Sequence, residues 1–409
     1  MCIFAFMLKV AVIGGGAAGF FAAIHAAQKG AEVVLLEKTS NTLSKVKISG
    51  GGRCNVTHAA YEPSQLIKNY PRGEKFLKKV FTHFDVNDTI SWFASRGVEL
   101  KVEADGRMFP VTDDSQTIID VLRSEADKYG VVLKSSHRVS VIRKNDGGGV
   151  QLLVNENWLQ FDKVIITTGG HPKLEGFDML RKLGHKIESP VPSLFTFNTP
   201  NETITALTGI SLPNVLVSLE GTKLNYQGPL LITHWGVSGP AVLKLSAFGA
   251  KWMAEKNYAA KAHIRWINEY KEDDFRKEIQ IFKNNHPKKK IITNPLFNLP
   301  SRIWEHFCER SQIGKDLLWH ECSKKQINRL IENLFNYIIA IEGKTTFKEE
   351  FVTAGGVDLN EIDPNSMESR LVPDVFFAGE VINVDGITGG FNFQAAWSTG
   401  FLAGISVIK

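Results

Sequence analysis

Glycines at fixed spacing near the start of the chain have the pattern of a dinucleotide-binding turn. The pattern is Gly14-x-Gly16-x-x-Gly19, which follows the apolar run Val10–Ile13 and precedes an alanine-rich helical pattern reaching Ala27. In a strand–turn–helix unit the first glycine permits the turn, the second lets the backbone approach a pyrophosphate, and the third lets helix and strand pack closely. The helix N-terminus then faces the anion. A glycine-rich turn without a ligand is the alternative.

An acidic residue follows where the ribose of such a ligand would lie. The run from Ala31 predicts a second buried strand that ends at Glu37, about twenty residues beyond the turn. A carboxylate there accepts hydrogen bonds from a ribose diol and disfavours a 2′-phosphate. A third buried strand is predicted from Lys163, and in a doubly wound sheet it would bring Thr168 and Gly169 close to the cofactor.

A second glycine-rich stretch is Ile48-Ser-Gly-Gly-Gly-Arg-Cys-Asn55. Consecutive glycines followed by Arg53 and Asn55 suit a loop that lies against a flat, polar ligand. A flexible surface loop would have the same composition, so this alternative stays open. Cys54 is a lone cysteine in this loop and is predicted to be a buried structural thiol rather than a redox group.

The side chains that could transfer a proton or bind an anion come from both halves of the chain. They are Lys45, Lys47, Arg53, His234 and Asp385. His234 is the best candidate for proton transfer beside a redox cofactor, and a structural histidine is its alternative. The cationic residues are expected to contact a phosphate, a substrate carboxylate or solvent, and Asp385 to order a loop or the cofactor.

Composition limits the class of protein. The chain has 409 residues, 43% hydrophobic and 22% charged, which is typical of a globular protein with two or three cores. The net charge of +5 does not require a nucleic-acid or membrane partner.

No apolar run is long enough to span a bilayer. The start of the sequence resembles no signal peptide, and Met7 is a plausible start of the native chain. Widely spaced cysteines without C-x-x-C argue against disulfides and zinc, so a cytoplasmic location is expected. These cysteines are Cys2, Cys54, Cys308 and Cys322.

The predicted secondary structure that positions these residues differs between successive parts of the chain. Composition shifts near Pro190–Pro192, which predicts the crossing into a second domain. The following residues to 265 are mainly strand-like, and 269–343 read as polar helices that could form a separate small lobe. Glycine-rich signals then return, and the stretch Val384–Gln394 opens a final helix through Gly404.

Together the motifs resemble one family. They are Gly14-Gly-Gly-Ala-Ala-Gly19, Ile48–Asn55, Thr233-His-Trp-Gly-Val-Ser-Gly-Pro240, Ala378-Gly-Glu380 and Asp385-Gly-Ile-Thr-Gly-Gly-Phe-Asn392. The chain resembles, from about Lys9 onward, the bacterial FAD-binding oxidoreductases that include aminoacetone oxidase and 3-dehydro-bile-acid reductase, within the glutathione-reductase-like superfamily of flavoproteins.

This resemblance implies an α/β fold with a discontinuous, Rossmann-like FAD-binding domain at 1–192 plus 345–409. It also implies an inserted β-rich domain at 193–268 and a small helical lobe at 269–344. FAD would be held without a covalent bond. The implied cofactor-binding residues are Gly14, Gly16, Ala17, Ala18 and Gly19 at the pyrophosphate; Glu37 and Lys38 at the adenosine ribose; Val139 at the adenine; Ser49, Gly50, Gly51, Gly52, Arg53, Cys54 and Asn55 at the flavin and ribityl; Gly379 and Glu380 at the ribityl and pyrophosphate; and Gly389, Gly390, Phe391 and Asn392 at the pyrimidine end of the flavin.

Two motifs are absent from the sequence, and their absence limits the type of redox reaction. Without C-x-x-C a dithiol reductase is disfavoured, and without a second glycine pattern of this type NAD(P)H would be only a transient electron donor. We therefore expect an FAD-dependent oxidoreductase that transfers hydride at flavin N5 to or from a small organic molecule, as in amine oxidation or enone reduction. The alternative is a flavoprotein that binds or modifies RNA through the basic stretch His286–Lys290 of the helical lobe. The pattern indicates no oligomeric state.

Overall fold

A parallel sheet carries the first glycine-rich turn in the computed structural model, which describes residues 7–145, 147–346 and 352–409. Cys2 lies outside the described residues. The strands are β1 (Lys9–Ile13), β2 (Glu32–Leu36), β3 (Thr57–His58), β4 (Leu100–Val102), β5 (Arg107–Pro110), β6 (Val132–Lys134), β7 (Val139–Lys144), β8 (Val150–Val154), β9 (Asn157–Phe161), β10 (Lys163–Ile166), β11 (Ile187–Ser193), β12 (Thr196–Asn198), β13 (Ser211–Leu219), β14 (Asn225–Thr233), β15 (Gly236–Ser238), β16 (Ala259–Arg265), β17 (Tyr337–Glu342), β18 (Lys344–Thr345), β19 (Val352–Val357) and β20 (Val375–Phe377).

Helices cover and connect these strands. They are α1 (Ala17–Gln28), α2 (Ser44–Gly52), α3 (Pro63–Leu66), α4 (Glu74–Val80), α5 (Val86–Ala94), α6 (Ser115–Lys128), α7 (Asp178–Lys182), α8 (Pro240–Phe248), α9 (Ala250–Glu255), α10 (Glu272–Asn285), α11 (Ser301–Arg310), α12 (Lys324–Phe335) and α13 (Phe391–Ser406). The described residues form two compact units, one from those within 1–193 and 348–409 and one from those within 194–347.

The first unit is built on a sheet with the order β20-β10-β1-β2-β6, in which every neighbouring pair is parallel. Its central strands are apolar and buried along most of their length, as expected for a parallel sheet covered by helices. The predicted Rossmann-like α/β fold is confirmed. The strand predicted from Lys163 pairs with β1 as expected, with Val10 opposite Lys163.

The last helix packs on the first, which brings both ends of the chain into the first unit. A Cβ atom added to Gly400 would lie 2.7 Å from the carbonyl oxygen of Ala18, and one added to Gly404 would lie 2.6 Å from that of Ala22. Glycine on α13 therefore allows a close approach to the backbone of α1 that any larger residue would prevent. The predicted discontinuous domain is the result.

Small antiparallel sheets complete the first unit, in the orders β3-β5-β4, β7-β8-β9 and β11-β19. β4 and β5 form a hairpin that turns near Gly106, with Leu100 opposite Pro110. The helix α6 begins at Ser115, and Gly130 follows it with a positive φ of 73°. The sequence reasoning missed β9.

The second unit contains an antiparallel sheet with the order β17-β16-β13-β14-β15-β12-β18. The strand-rich character expected after residue 193 follows from this sheet, and α10, α11 and α12 supply the polar helices expected later. However, β17 lies within the range 269–344 and pairs with β16, with Ala262 opposite Ile339. The division into domains at 193–268 and 269–344 stays a prediction.

Candidate functional site

The first glycine-rich turn leaves β1 at the carboxyl edge of the parallel sheet. Gly14 has a φ of 113°, and its N–H donates to the carbonyl of Leu36 over 2.8 Å. A Cβ atom at Gly19 would lie 1.9 Å from the carbonyl oxygen of Gly14, whereas one at Gly16 meets no protein atom within 4 Å. Two of these glycines therefore serve packing, and Gly16 borders open space.

The N-terminus of α1 begins at this open space. Gly16 is its N-cap, no side chain caps it, and its first turn has no acidic residue. The leading N–H groups of Ala17 and Ala18 are then available to an anion, and the helix dipole favours negative charge there. This arrangement fits a pyrophosphate.

Glu37 follows β2 and faces the same turn. One carboxylate oxygen accepts from the N–H of Gly15 and the other from the N–H of Thr39, each over 2.8 Å. A carboxylate has about four acceptor positions, so it retains capacity for a ribose hydroxyl. Lys38, beside it, is exposed. The N–H of His137 donates to the carbonyl of Glu37 over 2.7 Å, and this contact places the start of β7, with Val139, beside the acid.

The strand ends β10 and β20 line the other side of the turn. The hydroxyl of Thr167 donates to the carbonyls of Ile13 and Gly14 over 2.9 Å, while Thr168 is exposed. The residue that holds the glycine turn is thus Thr167, one position before the predicted Thr168 and Gly169. Gly379 follows β20, and a Cβ atom added to it would lie 2.8 Å from the Cβ atom of Ala18.

The second glycine-rich stretch ends α2 in a turn with left-handed backbone. Gly50, Gly51 and Gly52 all have positive φ, and Ser49 has already left the helical region. A Cβ atom at Gly51 or Gly52 would meet no protein atom within 4 Å, so this turn also borders open space. Burial raises the pKa of the Cys54 thiol to about 12. The nucleophilic thiolate is therefore scarce at neutral pH.

Asn55 joins this stretch to the last glycine-rich stretch of the chain. With its amide oriented to satisfy both groups, the side chain accepts from the N–H of Gly390 over 2.9 Å and donates to the carbonyl of Thr57 over 3.0 Å. The ring of His58 stacks on that of Phe391 with centroids 4.5 Å apart, and its Nδ1 donates to the carbonyl of Gly389 over 2.9 Å.

The turn at Gly389 and Gly390 begins α13. Both glycines have positive φ, and no side chain caps this helix. Asn392 turns back to the preceding loop, where its amide accepts from the N–H of Gly386 over 2.7 Å and donates to the carbonyl of the same residue over 2.9 Å. The helix N-terminus is thus left to a ligand, and Asn392 shapes the loop beside it.

A buried ion pair holds that loop. Asp385 is fully buried, and the guanidinium of Arg72 donates to both of its carboxylate oxygens. The hydroxyl of Ser193 donates to the same carboxylate over 2.8 Å. Burial raises the pKa of Asp385, while the bonds from Arg72 and Ser193 act in the opposite direction. This geometry fits the expectation that Asp385 orders the loop.

The cationic candidates are paired within the protein. Arg53 forms an ion pair with Glu103 over 2.6 Å, and its guanidinium lies 4.0 Å from the ring centre of Phe109. Lys45 pairs with Glu380 over 2.6 Å. Lys47 is exposed and donates to the amide of Gln116 over 3.1 Å.

His234 belongs to the second unit. Its side chain is exposed, and its ring centre lies 4.2 Å from that of Trp235 in an edge-to-face arrangement. The role of His234 in proton transfer, with a structural histidine as its alternative, stays a prediction.

Sequence reasoning missed His58, Tyr70, Arg72 and Thr167. Tyr70 donates its hydroxyl to the carbonyl of Phe391 over 2.7 Å. Its partner and that of Arg72 lie more than 300 residues away in sequence. Of these four residues only Thr167 had a local sequence signal, because it directly follows the apolar strand β10. Thr167 is buried in the structure.

Within the described residues no group of three or more His, Cys, Asp or Glu side chains is arranged to hold a metal ion. In the same part of the chain, none of the helices has both the length and the apolar character needed to cross a membrane.

The ends of four parallel strands therefore meet around space bordered by glycines and two uncapped helix N-termini. In an open α/β sheet this edge is where nucleotides bind. The open space at Gly16, Gly51 and Gly52 fits a long, anionic molecule such as FAD. The assignment of Gly14–Gly19 to its pyrophosphate and of Gly389–Asn392 to its flavin stays a prediction.

The model of the family described as HI0933-like protein Rossmann domain matches residues 8–406. The chain belongs to this family. Among HI0933-like proteins and their relatives, it is 31% identical over 409 residues to a ribosomal RNA dihydrouridine synthase of Haemophilus influenzae, covering 97% of this chain and 98% of that one. It is 28% identical over 408 residues to the 3-dehydro-bile acid delta(4,6)-reductase of Clostridium scindens, covering 97% and 98%.

A solved 3-ketosteroid-delta4-(5alpha)-dehydrogenase of Rhodococcus jostii, in complex with 4-androstene-3,17-dione, has a TM-score of 0.51 and 16% identity, covering 100% of this chain and 98% of that one. That likeness supports the fold. Membership of the family and the full-length relatives make this HI0933-like protein an FAD-dependent oxidoreductase, as the sequence predicted.

Proposed function

We propose that this protein reduces a carbon–carbon double bond conjugated to a carbonyl group, and that its substrate is a uridine of ribosomal RNA. The support comes from the names of relatives that match at least 95% of the chain. Two are ribosomal RNA dihydrouridine synthases, each 31% identical, and one is a bile acid reductase. Dihydrouridine is uridine with its ring double bond reduced, so both activities saturate an alkene beside a carbonyl.

Reduced FAD, when bound, supplies the hydride for such a reaction. The chain's own groups hold it: the N-terminus of α1 and Glu37 toward the adenosine half, and the N-terminus of α13 toward the flavin. The observation that carries this assignment is the convergence of the uncapped α1 and α13 with the turn at Gly50–Gly52, which Asn55 ties to Gly390. An uncapped helix N-terminus stabilises negative charge.

The second half of the reduction needs a proton. Lys45 and Arg53 already donate to protein carboxylates, so they serve better as positioning residues than as acids. His234 is not hydrogen-bonded to another described residue, and we propose this histidine as the proton donor. Loss of a general acid lowers turnover by about 10²- to 10⁴-fold. We expect His234→Gln to slow the oxidation of reduced flavin by substrate while leaving FAD content unchanged.

The test of the function is nucleoside analysis of ribosomal RNA. We expect the purified protein, with FAD, NADH or NADPH and unmodified ribosomal RNA transcribed in vitro, to yield dihydrouridine, seen by mass spectrometry as the gain of two hydrogen atoms. NAD(P)H is proposed as a transient electron donor and the cytoplasm as the place of action. Absence of dihydrouridine despite reduction of the flavin would refute the RNA substrate.

The bile acid reductase favours a second candidate, a free small-molecule enone. The chain matches that relative over as much of its length as it matches the RNA-modifying ones. Under this hypothesis a soluble enone reoxidises the reduced flavin rapidly, whereas RNA does not. Stopped-flow absorbance with both substrates separates the two hypotheses.

A further inference from the structure

One face of α4 is a row of lysines. Lys75, Lys78 and Lys79 are exposed, while Phe76, Leu77 and Val80 on the same helix are buried. Residues spaced by three and four lie side by side on a helix. The face therefore presents three neighbouring ammonium groups, and Lys68, just before the helix, is also exposed.

These ammonium groups have no anionic partner in the part of the chain that the structure describes. Among the residues that the structure describes, neither Lys75 nor Lys78 nor Lys79 forms an ion pair with a carboxylate, whereas Lys45, Lys128 and Lys186 each do. The only acidic residue of α4 is Glu74, in its first turn. Neighbouring like charges repel one another, and an anion from outside would relieve this repulsion.

The helix is fixed to the loop proposed to hold the flavin. The N–H of Ile387 donates to the carbonyl of Asn69 over 2.9 Å. Tyr70 donates to the carbonyl of Phe391, and Arg72 binds Asp385. The segment that leads directly into α4 is therefore bound three times to the loop 385–391, in the same compact unit. An anion on this face would therefore lie on the same compact unit as the loop of the proposed reaction site.

The lysines of the basic stretch His286–Lys290 in the second unit are less available to an external anion, because two of them have partners within the protein. Lys290 pairs with Asp316 over 2.8 Å, and the ammonium of Lys289 lies 5.8 Å from the ring centre of Phe282. Only Lys288 of this triplet has no such contact among the described residues.

We propose that the lysine face of α4, made by Lys75, Lys78 and Lys79, binds the phosphate backbone of the RNA substrate. This inference rests on the proposed function. Phosphate contacts position a nucleic acid without reading its sequence, so the face would hold the strand while the flavin site selects the base. The stretch Lys288–Lys290 is not required.

The test compares two triple variants with equal loss of charge. Lys75→Gln, Lys78→Gln and Lys79→Gln are combined in one protein, and Lys288→Gln, Lys289→Gln and Lys290→Gln in the matched control. The probe is unmodified ribosomal RNA transcribed in vitro, and its Kd is measured against FAD-loaded protein over a range of salt concentrations. Dihydrouridine formation is measured at limiting RNA.

Each phosphate contact contributes about 1 to the slope of log affinity against log salt. We expect the α4 variant to lower this slope by about 3 and to weaken binding at least tenfold, with FAD content and unfolding temperature unchanged. The Lys288–Lys290 variant should match the wild type. Equal RNA affinity of the α4 variant and the wild type would overturn the proposal, as would a loss confined to the Lys288–Lys290 variant.

These outcomes are distinct from failure of the proposed function. If the wild-type protein binds no RNA and forms no dihydrouridine, the RNA function itself is wrong. If it forms dihydrouridine and the α4 variant forms it equally fast at limiting RNA, only the assignment of the surface is wrong.

Discussion

Removing Arg72 should leave a buried carboxylate without its cation. Asp385 is fully buried, and it receives two hydrogen bonds from Arg72 and one from Ser193. Breaking a buried pair by deleting one partner costs about 3–5 kcal/mol. For a domain of this size roughly 2 °C in unfolding temperature corresponds to each kcal/mol. We therefore expect Arg72→Met to lower the thermal unfolding midpoint of the FAD-free protein by about 6–10 °C at neutral pH.

The loss of stability caused by Arg72→Met should depend on pH. Burial raises the pKa of Asp385 in the folded protein, and loss of Arg72 removes an opposing contribution, so the pKa rises further. A carboxyl group whose folded-state pKa is raised favours folding while it is protonated. Its contribution disappears as pH rises from the ordinary Asp value, about 4, through the raised folded value. Arg72→Met should therefore be closest to the wild type at the acidic end of that window.

The assay is thermal denaturation followed by circular dichroism over a pH series. Arg181→Met is the matched control, because its partner Asp178 is about half exposed and such pairs contribute about 0–1 kcal/mol. The double variant Arg72→Met, Asp385→Leu should regain most of the lost stability, since an apolar replacement leaves no buried charge. A single Arg72 variant with a wild-type midpoint at every pH would refute this reasoning.

Further predictions concern the cofactor. Gly16→Val should abolish FAD retention without changing the unfolding midpoint of the FAD-free protein, because the valine side chain would enter the open space. Gly19→Val should instead unfold the turn. Absorbance of bound flavin and circular dichroism distinguish the two variants. Glu37→Ala should raise the Kd for FAD at least tenfold, and an unchanged Kd in a flavin fluorescence titration would contradict its ribose role. Cys54 should resist thiol reagents in the native protein at pH 8, since its pKa is about 12; rapid labelling located there by mass spectrometry would count against its burial.

Local sequence signals were sufficient for the first strands and the first helix of the first unit. The run Val10–Ile13, the glycine spacing and the acid Glu37 are all set by neighbours in the chain, and β1, α1 and β2 follow them. The β-branched run from Lys163 likewise predicted β10. β17 was missed because the polar helical pattern around it continued, and its strand state depends on pairing with β16, which lies about 75 residues earlier.

The site was most predictable where a backbone requirement is visible in one residue type. Glycine marks positive φ or close approach, so the turns at Gly14, Gly50 and Gly390 could be identified from residue type. The ion pair of Arg72 could not, because arginine generally predicts solvent exposure and its partner lies 313 residues away. Such long-range pairs are a property of the folded chain and leave no local pattern.

Three of the contacts that assemble the site join the two ends of the chain. Asn55 binds Gly390, Gly379 lies against Ala18, and Tyr70 binds Phe391. Closing so long a chain segment costs entropy that these contacts must offset together. FAD bound to both ends would stabilise this closed arrangement in proportion to its concentration above the Kd. We therefore predict that the glycine turn and Glu37 alone are insufficient to hold FAD, and that the last strand and helix are as necessary for FAD binding as the first.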